Sequence, residues 1–509
     1  MKYNETTASR RLGMNPDFDF NPIQLSYVAA LRGIVPRQPE DKFNYAVLSC
    51  QDPDRLICLA ASNPEGRFCG FVEDDGVAKQ AQSSAKQHAV SNVMIVSTSM
   101  DTLLAEVKSG KSMLPKFDYL CYDETKIPGP SQHTLVAELA DNMLKQGGLL
   151  AYRYQAYKDD SEALRFLVSE LAPAATPAQA KEVLQDLKKV GGIYFSSHQK
   201  QSAALDAAIK NGTPDQFFTS VNDRESNSVT IDVMAALLPR DLSYAGDAQI
   251  ADNYLEMVTP EIAHQVLIGC SHHILYEPIK DFAIGRTMRT DVWCRKPVPK
   301  TENIATLFGN FTYGITAARE KIPQKLSVKG KEIDLSTDLF TKLINLMSFM
   351  PVRIGDFLQH KDGKGFASID VVGATQVLVA CGIAKPMRSS YQGQKDATML
   401  QPRLAGVFNQ YLDKTAITGS EIWLASPVVG SAVSIPAREA LVMQALNRAG
   451  MANSVSALLP ELERLAKDPS MAAKFMDVAE PNAEVAHHMI EDVVVKSIMQ
   501  WYAYGLLAA

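Results

Sequence analysis

With 509 residues, 46% of them hydrophobic and 21% charged, the chain has an ordinary globular composition, too long for one core and too apolar for long disordered tracts. The 51 Lys and Arg against 57 Asp and Glu leave a formal charge of −6, which excludes the basic stripe expected of a nucleic-acid binder. Seven cysteines without a C-x-x-C pair argue against a disulfide framework and for a reducing, cytoplasmic setting. No apolar leader or long apolar run points to a signal peptide or membrane insertion.

Residues 1–20 are polar and are expected to be flexible. Pro22 then starts a helix over Ile23–Leu31 that Gly33 and Pro36 stop. The organising stretch runs from Asn44 to Asp75. A strand (Tyr45–Ser49), a polar turn (Gln51-Asp52-Pro53-Asp54) and a helix (Arg55–Ser62) lead to a second strand (Arg67–Val72), closed by Glu73, Asp74 and Asp75. Strand, helix and strand in that order form a βαβ unit, the building block of parallel sheets. Further strands are expected at Asn92–Thr98, Phe117–Tyr122 and Leu149–Tyr154, with helices near 76–89, 102–108 and 131–145 between them. The fold class is therefore α/β, a doubly wound Rossmann-like sheet. Residues 151–225 read as mainly helical and 226–296 as a small mixed module. Past the linker PVPKTEN, KLSVKGKEIDL alternates around Lys329-Gly330 as a hairpin would, in a mainly helical, winged-helix-like C-terminal region.

Ligands of such sheets bind at the carboxyl ends of the strands. A dinucleotide needs a glycine-rich turn for its pyrophosphate, and Cys50-Gln51-Asp52-Pro53 has no glycine and adds acids that would repel phosphate. S-adenosyl-L-methionine asks for a close-approach turn after the first strand, which is absent here, an acid after the second and a polar residue after the third. Glu73 and Asp74 suit the ribose hydroxyls and Asp101 suits the adenine amino group.

These motifs resemble a bacterial family of class I methyltransferases that carry a methyltransferase regulatory domain, among them lysine methyltransferases of outer-membrane proteins. PIQLSYVAALRG, RLICLAASNPEGRFCGFVEDD, Phe117-Asp118-Tyr119-Leu120-Cys121-Tyr122, LKQGGLLAYRYQ and IGRTMRTDVWC are similar in order and spacing to that family's segments. The resemblance implies a methyltransferase domain with a helical extension over 21–225, a regulatory-like domain over 226–300 and a C-terminal domain over 301–509. It further implies S-adenosyl-L-methionine as cofactor and a protein substrate or partner, with outer-membrane or surface proteins as the expected class.

By the same resemblance, Ser49, Gln51 and Cys121 join Glu73, Asp74 and Asp101 as cofactor-binding positions. Asp123 is expected to orient the attacking amine, and Tyr154 to line a lysine channel; no metal site is expected. The departure is at ELGCGxG, where Val47, Leu48, Ser49, Cys50, Gln51, Asp52 and Pro53 stand, so that Val47 takes the place of the leading acid and none of the three glycines is present. A non-catalytic binding module with the same fold is thus the alternative to a lysine N-methyltransferase. Structural roles compete at single positions: Asp101 as a helix N-cap, the strand cysteines as buried small hydrophobes, Tyr154 as a packed tyrosine, and Arg286 and Arg289 as holders of an interdomain carboxylate from one helix face.

Overall fold

The computed structural model describes residues 20–123 (except 36, 38 and 39), 130–157, 162–171, 177–213, 217, 229–259, 261–268, 273–298, 304–309, 311–328 (except 318), 331–388, 404, 406–414, 421–449, 467 and 483–507. The expectation for residues 1–20 thus lies almost wholly outside the described residues.

Helix α1 (Pro22–Leu31) starts where the Asn21 side chain accepts from the Ile23 amide, with Pro22 in the first turn. Strand β1 (Phe43–Leu48) leads to α2 (Pro53–Ala61), capped by Asp52 and again opened by a proline. There follow β2 (Gly66–Val72), α3 (Asp75–Gln87), β3 (Val93–Ser97), α4 (Met100–Lys108), β4 (Phe117–Asp123), α5 (Pro130–Met143) and β5 (Leu144–Gln155). The expected helix cap at Asp101 is corrected: Ser99 caps α4, its Oγ accepting from the Thr102 amide, and Asp101 lies inside the first turn.

Helices α6 (Glu162–Leu171), α7 (Pro177–Val190), α8 (Gly192–Ser197) and α9 (Gln199–Asn211) form the extension, and then α10 (Val229–Leu237) and β6 (Leu242–Asp247) return to the sheet. After α11 (Glu261–Ile268) and α12 (His273–Ala283) comes β7 (Met288–Arg295). Arg289 is therefore a strand residue, not part of a helix face shared with Arg286.

The sheet has seven strands in the order β3-β2-β1-β4-β5-β7-β6. Pairing is parallel from β3 to β5, whereas β7 runs antiparallel to β5 (Leu149 opposite Cys294, Gln155 opposite Met288) and β6 antiparallel to β7. The strand order reverses between β1 and β4, the place where an open α/β sheet parts to admit a ligand. One face packs Tyr27, Tyr45, Phe68 and Tyr119 under α1 and α2; the other packs Leu120, Tyr122, Tyr152 and Trp293 under α4, α5 and α10.

Farther on, β8 (Thr312–Gly314) makes a three-stranded sheet with β11 (Val352–Arg353) and β12 (Lys385–Met387). The hairpin expected around Lys329-Gly330 forms between β9 (Lys325–Val328) and β10 (Lys331–Asp334). A second hairpin, β13 (Glu421–Ser426) and β14 (Ser431–Pro436), lies on α2. Three buried side chains fasten it there: Asn21 donates to Val429 O, Asn63 to Gly430 O, and Arg388 to both Ser62 O and Pro427 O. The C-terminal region thus buttresses the helix that begins at the mouth of the sheet. No helix among the described residues is long and apolar enough to cross a membrane.

Candidate functional site

Four of the expected positions sit on the β1–α2 and β2–α3 turns, and their roles follow from the local chain. Ser49 ends β1 with φ 48°, the left-handed conformation that glycine adopts freely and L-residues reach at a cost. The turn therefore follows a glycine-like path without a glycine. Gln51 folds back, Nε2 donating to Ser49 Oγ at 3.0 Å, and Asp52 accepts from the Arg55 amide at 3.2 Å. Across the gap, the Cys50 amide donates to Phe71 O, tying the carboxyl ends of β1 and β2 together.

A cavity of about 170 Å³ opens here. Phe20 and Tyr45 lie on one side, Ser49, Gln51 and Asp52 on the turn, and Asp123 at the end of β4. Asp123 Oδ1 is buried and has no hydrogen-bond partner, its ion-pair cation being Arg153 Nε at 3.9 Å. Sequence reasoning did not single out Arg55, which also lines the cavity; burial lowers its pKa, while Asp52 and Asp123 act to raise it. Its signal was available, since the first turn of a helix behind an Asp-Pro cap faces the strand ends.

Glu73, Asp74 and Asp101 stand exposed on the same carboxyl-end rim, outside the cavity lining. Asp74 caps α3, its Oδ1 accepting from the Val77 amide at 2.9 Å. The structure thus brings Ser49, Gln51 and Asp123 around one cavity and leaves the three outer acids open to solvent.

Two expected site residues are corrected. Cys121 is fully buried, its Sγ donating to Tyr45 Oη at 3.0 Å, and it does not line the cavity. Burial pushes the thiols of Cys50, Cys58, Cys69 and Cys121 up to about 12, so all four are neutral small hydrophobes. Tyr154 is not at a channel mouth. It is completely buried and donates to Asp291 Oδ2 at 2.6 Å, which joins β5 to β7. Residues 124–129, directly after Asp123, lie outside the described residues.

Around Tyr154 the far edge of the sheet encloses charges. Arg289 donates to Asp281, Glu277 and Asp291 at 2.7–2.9 Å, and Arg286 is paired with Asp247 and Asp252. These arginines do hold carboxylates, but from a strand and the loop before it, and the carboxylates lie in the same 226–300 segment, so the expected interdomain contact is corrected.

Residues 220–295 match the family model described as a predicted methyltransferase regulatory domain. The whole structure is similar to that of PKMT2 from Rickettsia typhi in complex with AdoHcy, with a TM-score of 0.63 at 14% identity, covering 97% of this chain and 99% of that one. The chain has the class I methyltransferase fold. A second structure of the Rickettsia typhi protein agrees, with a TM-score of 0.62 at 15% identity and the same coverage. No curated protein matches the sequence. The matched regulatory segment contributes β6 and β7, which complete the seven-stranded sheet beyond β5.

Proposed function

We propose that the protein is an S-adenosylmethionine-dependent methyltransferase acting on protein lysine. The observation that carries this reading is the Asp123 carboxylate, which lines the switch-point cavity with Ser49 and whose buried Oδ1 has no hydrogen-bond partner, only Arg153 Nε at 3.9 Å. A buried polar atom without a partner is costly and marks a place where a ligand group is received. The donor set fits the cofactor. Ser49 retains the left-handed turn that lets a ligand approach, and Glu73, Asp74 and Asp101 offer carboxylates to hydroxyl and amino groups along the rim. When bound, S-adenosylmethionine supplies an electrophilic methyl group. Asp123 would align the acceptor amine and accept its proton, the main demands of methyl transfer to nitrogen. PKMT2, with which this chain shares its fold along almost its full length, was solved with AdoHcy, and this supports the same ligand class here.

One observation favours a second reading, a non-catalytic module. The cavity of about 170 Å³ is below the roughly 300–1,000 Å³ usual for ligand pockets, and side chains occupy 49, 51 and 53 where the resemblance has glycines. Isothermal titration calorimetry with S-adenosylmethionine and S-adenosylhomocysteine separates the two. A saturable micromolar heat, weakened by Asp101→Ala, supports the enzyme. Absence of heat at millimolar ligand, from protein that melts cooperatively, would overturn it in favour of the module.

A further inference from the structure

A larger cavity, of about 560 Å³, opens at the other end of the same sheet, where β1 to β4 begin. Lys42 and Arg67 stand at its rim, and Pro64, Cys69, Met94 and Leu114 supply apolar walls. It shares no lining residue with the cavity at the carboxyl ends of the strands. Its volume falls within the roughly 300–1,000 Å³ usual for small-molecule sites, which the cavity at the mouth does not reach.

The sheet builds this hollow from its register. Asn44 pairs with Arg67 and Cys69 with Met94, and alternate residues along a strand share a face, so Arg67 and Cys69 look the same way. Cys69 is buried on that face with Met100 and Leu103 of α4. Helix α4 stops at Lys108 and the chain turns at Gly110, φ 70°, before reaching β4. The amino ends of β2 and β3 therefore stay uncovered, and Met94 is 47% exposed although it belongs to the sheet.

The charges on the rim are open as well. Neighbouring cations at this end are in use: Lys145 donates to Asp118 Oδ2 at 2.8 Å, and Lys116 donates to Asn142 O. The acid in the lining, Glu65, already has Arg388 Nη2 at 3.4 Å from its Oε2. Among the described residues, no side-chain hydrogen bond or ion pair reaches Lys42 Nζ or the Arg67 guanidinium. Two free positive charges above an apolar floor complement an anion that carries an aliphatic body. A nucleotide fits less well, because the lining rings, Phe68 and Phe117, are buried and leave no aromatic face for a base to stack on.

We propose that this cavity is a second ligand site, which takes a medium-chain aliphatic carboxylate. The head group sits on Arg67 and Lys42, and the chain lies along Cys69, Met94 and Leu114. The planar guanidinium matches a carboxylate with two parallel bonds, and Lys42 adds a point charge. The inference does not depend on which ligand the mouth of the sheet binds.

The test is isothermal titration calorimetry of the full chain with octanoate, with octanol and acetate as the two halves of that molecule. The expected result is saturable submillimolar binding of octanoate, with octanol and acetate both far weaker. Arg67→Gln and Lys42→Gln should each weaken octanoate by about fivefold or more, as loss of a charge-assisted bond does. Both side chains are exposed, so the variants should melt as the wild type does. No saturable heat with octanoate at millimolar concentration overturns the proposal. So does octanol binding as tightly as octanoate, or an octanoate affinity that stays within about twofold of wild type in both variants.

Discussion

Two regions of one sheet use the same residue types in opposite ways. At the carboxyl ends of β1, β2 and β4, carboxylates stand in water or, like Asp123, beside a small cavity with an oxygen that has no hydrogen bond. At the β5–β7–β6 edge, carboxylates are buried and tied to Arg286 and Arg289. Removing one partner from a buried, paired charge is expensive, whereas a solvated acid is nearly free to change. A place meant to receive something must keep unsatisfied capacity, and a joint must use its capacity up. The difference teaches that acids after strands mark a ligand site only where their bonds are still open.

The strongest way to break this contrast is Arg289→Met. It leaves Asp281, Asp291 and Glu277 buried without their shared cation, and the expected loss is about 3–5 kcal/mol in urea unfolding near neutral pH. The loss should shrink in acid, where carboxyls are neutral. A variant within about 1 kcal/mol of wild type would show that the seam is not held by these bonds.

The next effect concerns His133 on α5, whose Nδ1 lies 2.6 Å from Tyr152 Oη. Burial lowers its pKa to about 4. A histidine that is kept neutral in the fold contributes stability that is present above its ordinary value of roughly 6.5. That contribution is lost as pH falls through about 4. Thermal melts should show a gentler acid-side decline for His133→Gln than for wild type.

A smaller effect sharpens the other region. Ser49→Gly relieves the positive φ and should raise stability by about 1 kcal/mol, read as a shift of the urea midpoint. It should also tighten binding of S-adenosylhomocysteine in calorimetry. A destabilised variant would mean that the Gln51–Ser49 bond, not backbone strain, governs the turn.

The smallest stability effect is expected for Glu73→Ala and Asp101→Ala, within about 0.5 kcal/mol, because both side chains are exposed. Their effect should appear in ligand affinity as a several-fold loss. Equal losses of stability at these rim acids and at the seam would erase the distinction.

Much of this architecture could be read from the residues. The first five strands and their helices follow from short apolar runs between proline, glycine and capping residues, and Pro22, Pro53 and the pairing of β9 with β10 fall where local rules put them. Local patterns also explain the misplacements. Asp101-Thr102 looks like a cap, yet Ser99, two residues earlier, has the free side chain and extended backbone that a cap requires. Tyr154 and Cys121 sit near the ends of strands that do border the site, but strand alternation turns both into the core.

The sequence by itself determined the parallel sheet, the position of its mouth and the loss of glycines from the first turn, since each depends on neighbouring residues and backbone geometry. Only the tertiary structure decided which carboxylates are open and which are consumed. Tyr154, Asp281 and Asn63 have partners 137, 8 and 367 positions away, and the Arg289–Asp281 and Asn63–Gly430 bonds form only when β7 and the β13–β14 hairpin dock. Hydrogen bonding and desolvation are properties of the packed neighbourhood, and no local pattern along the chain encodes them.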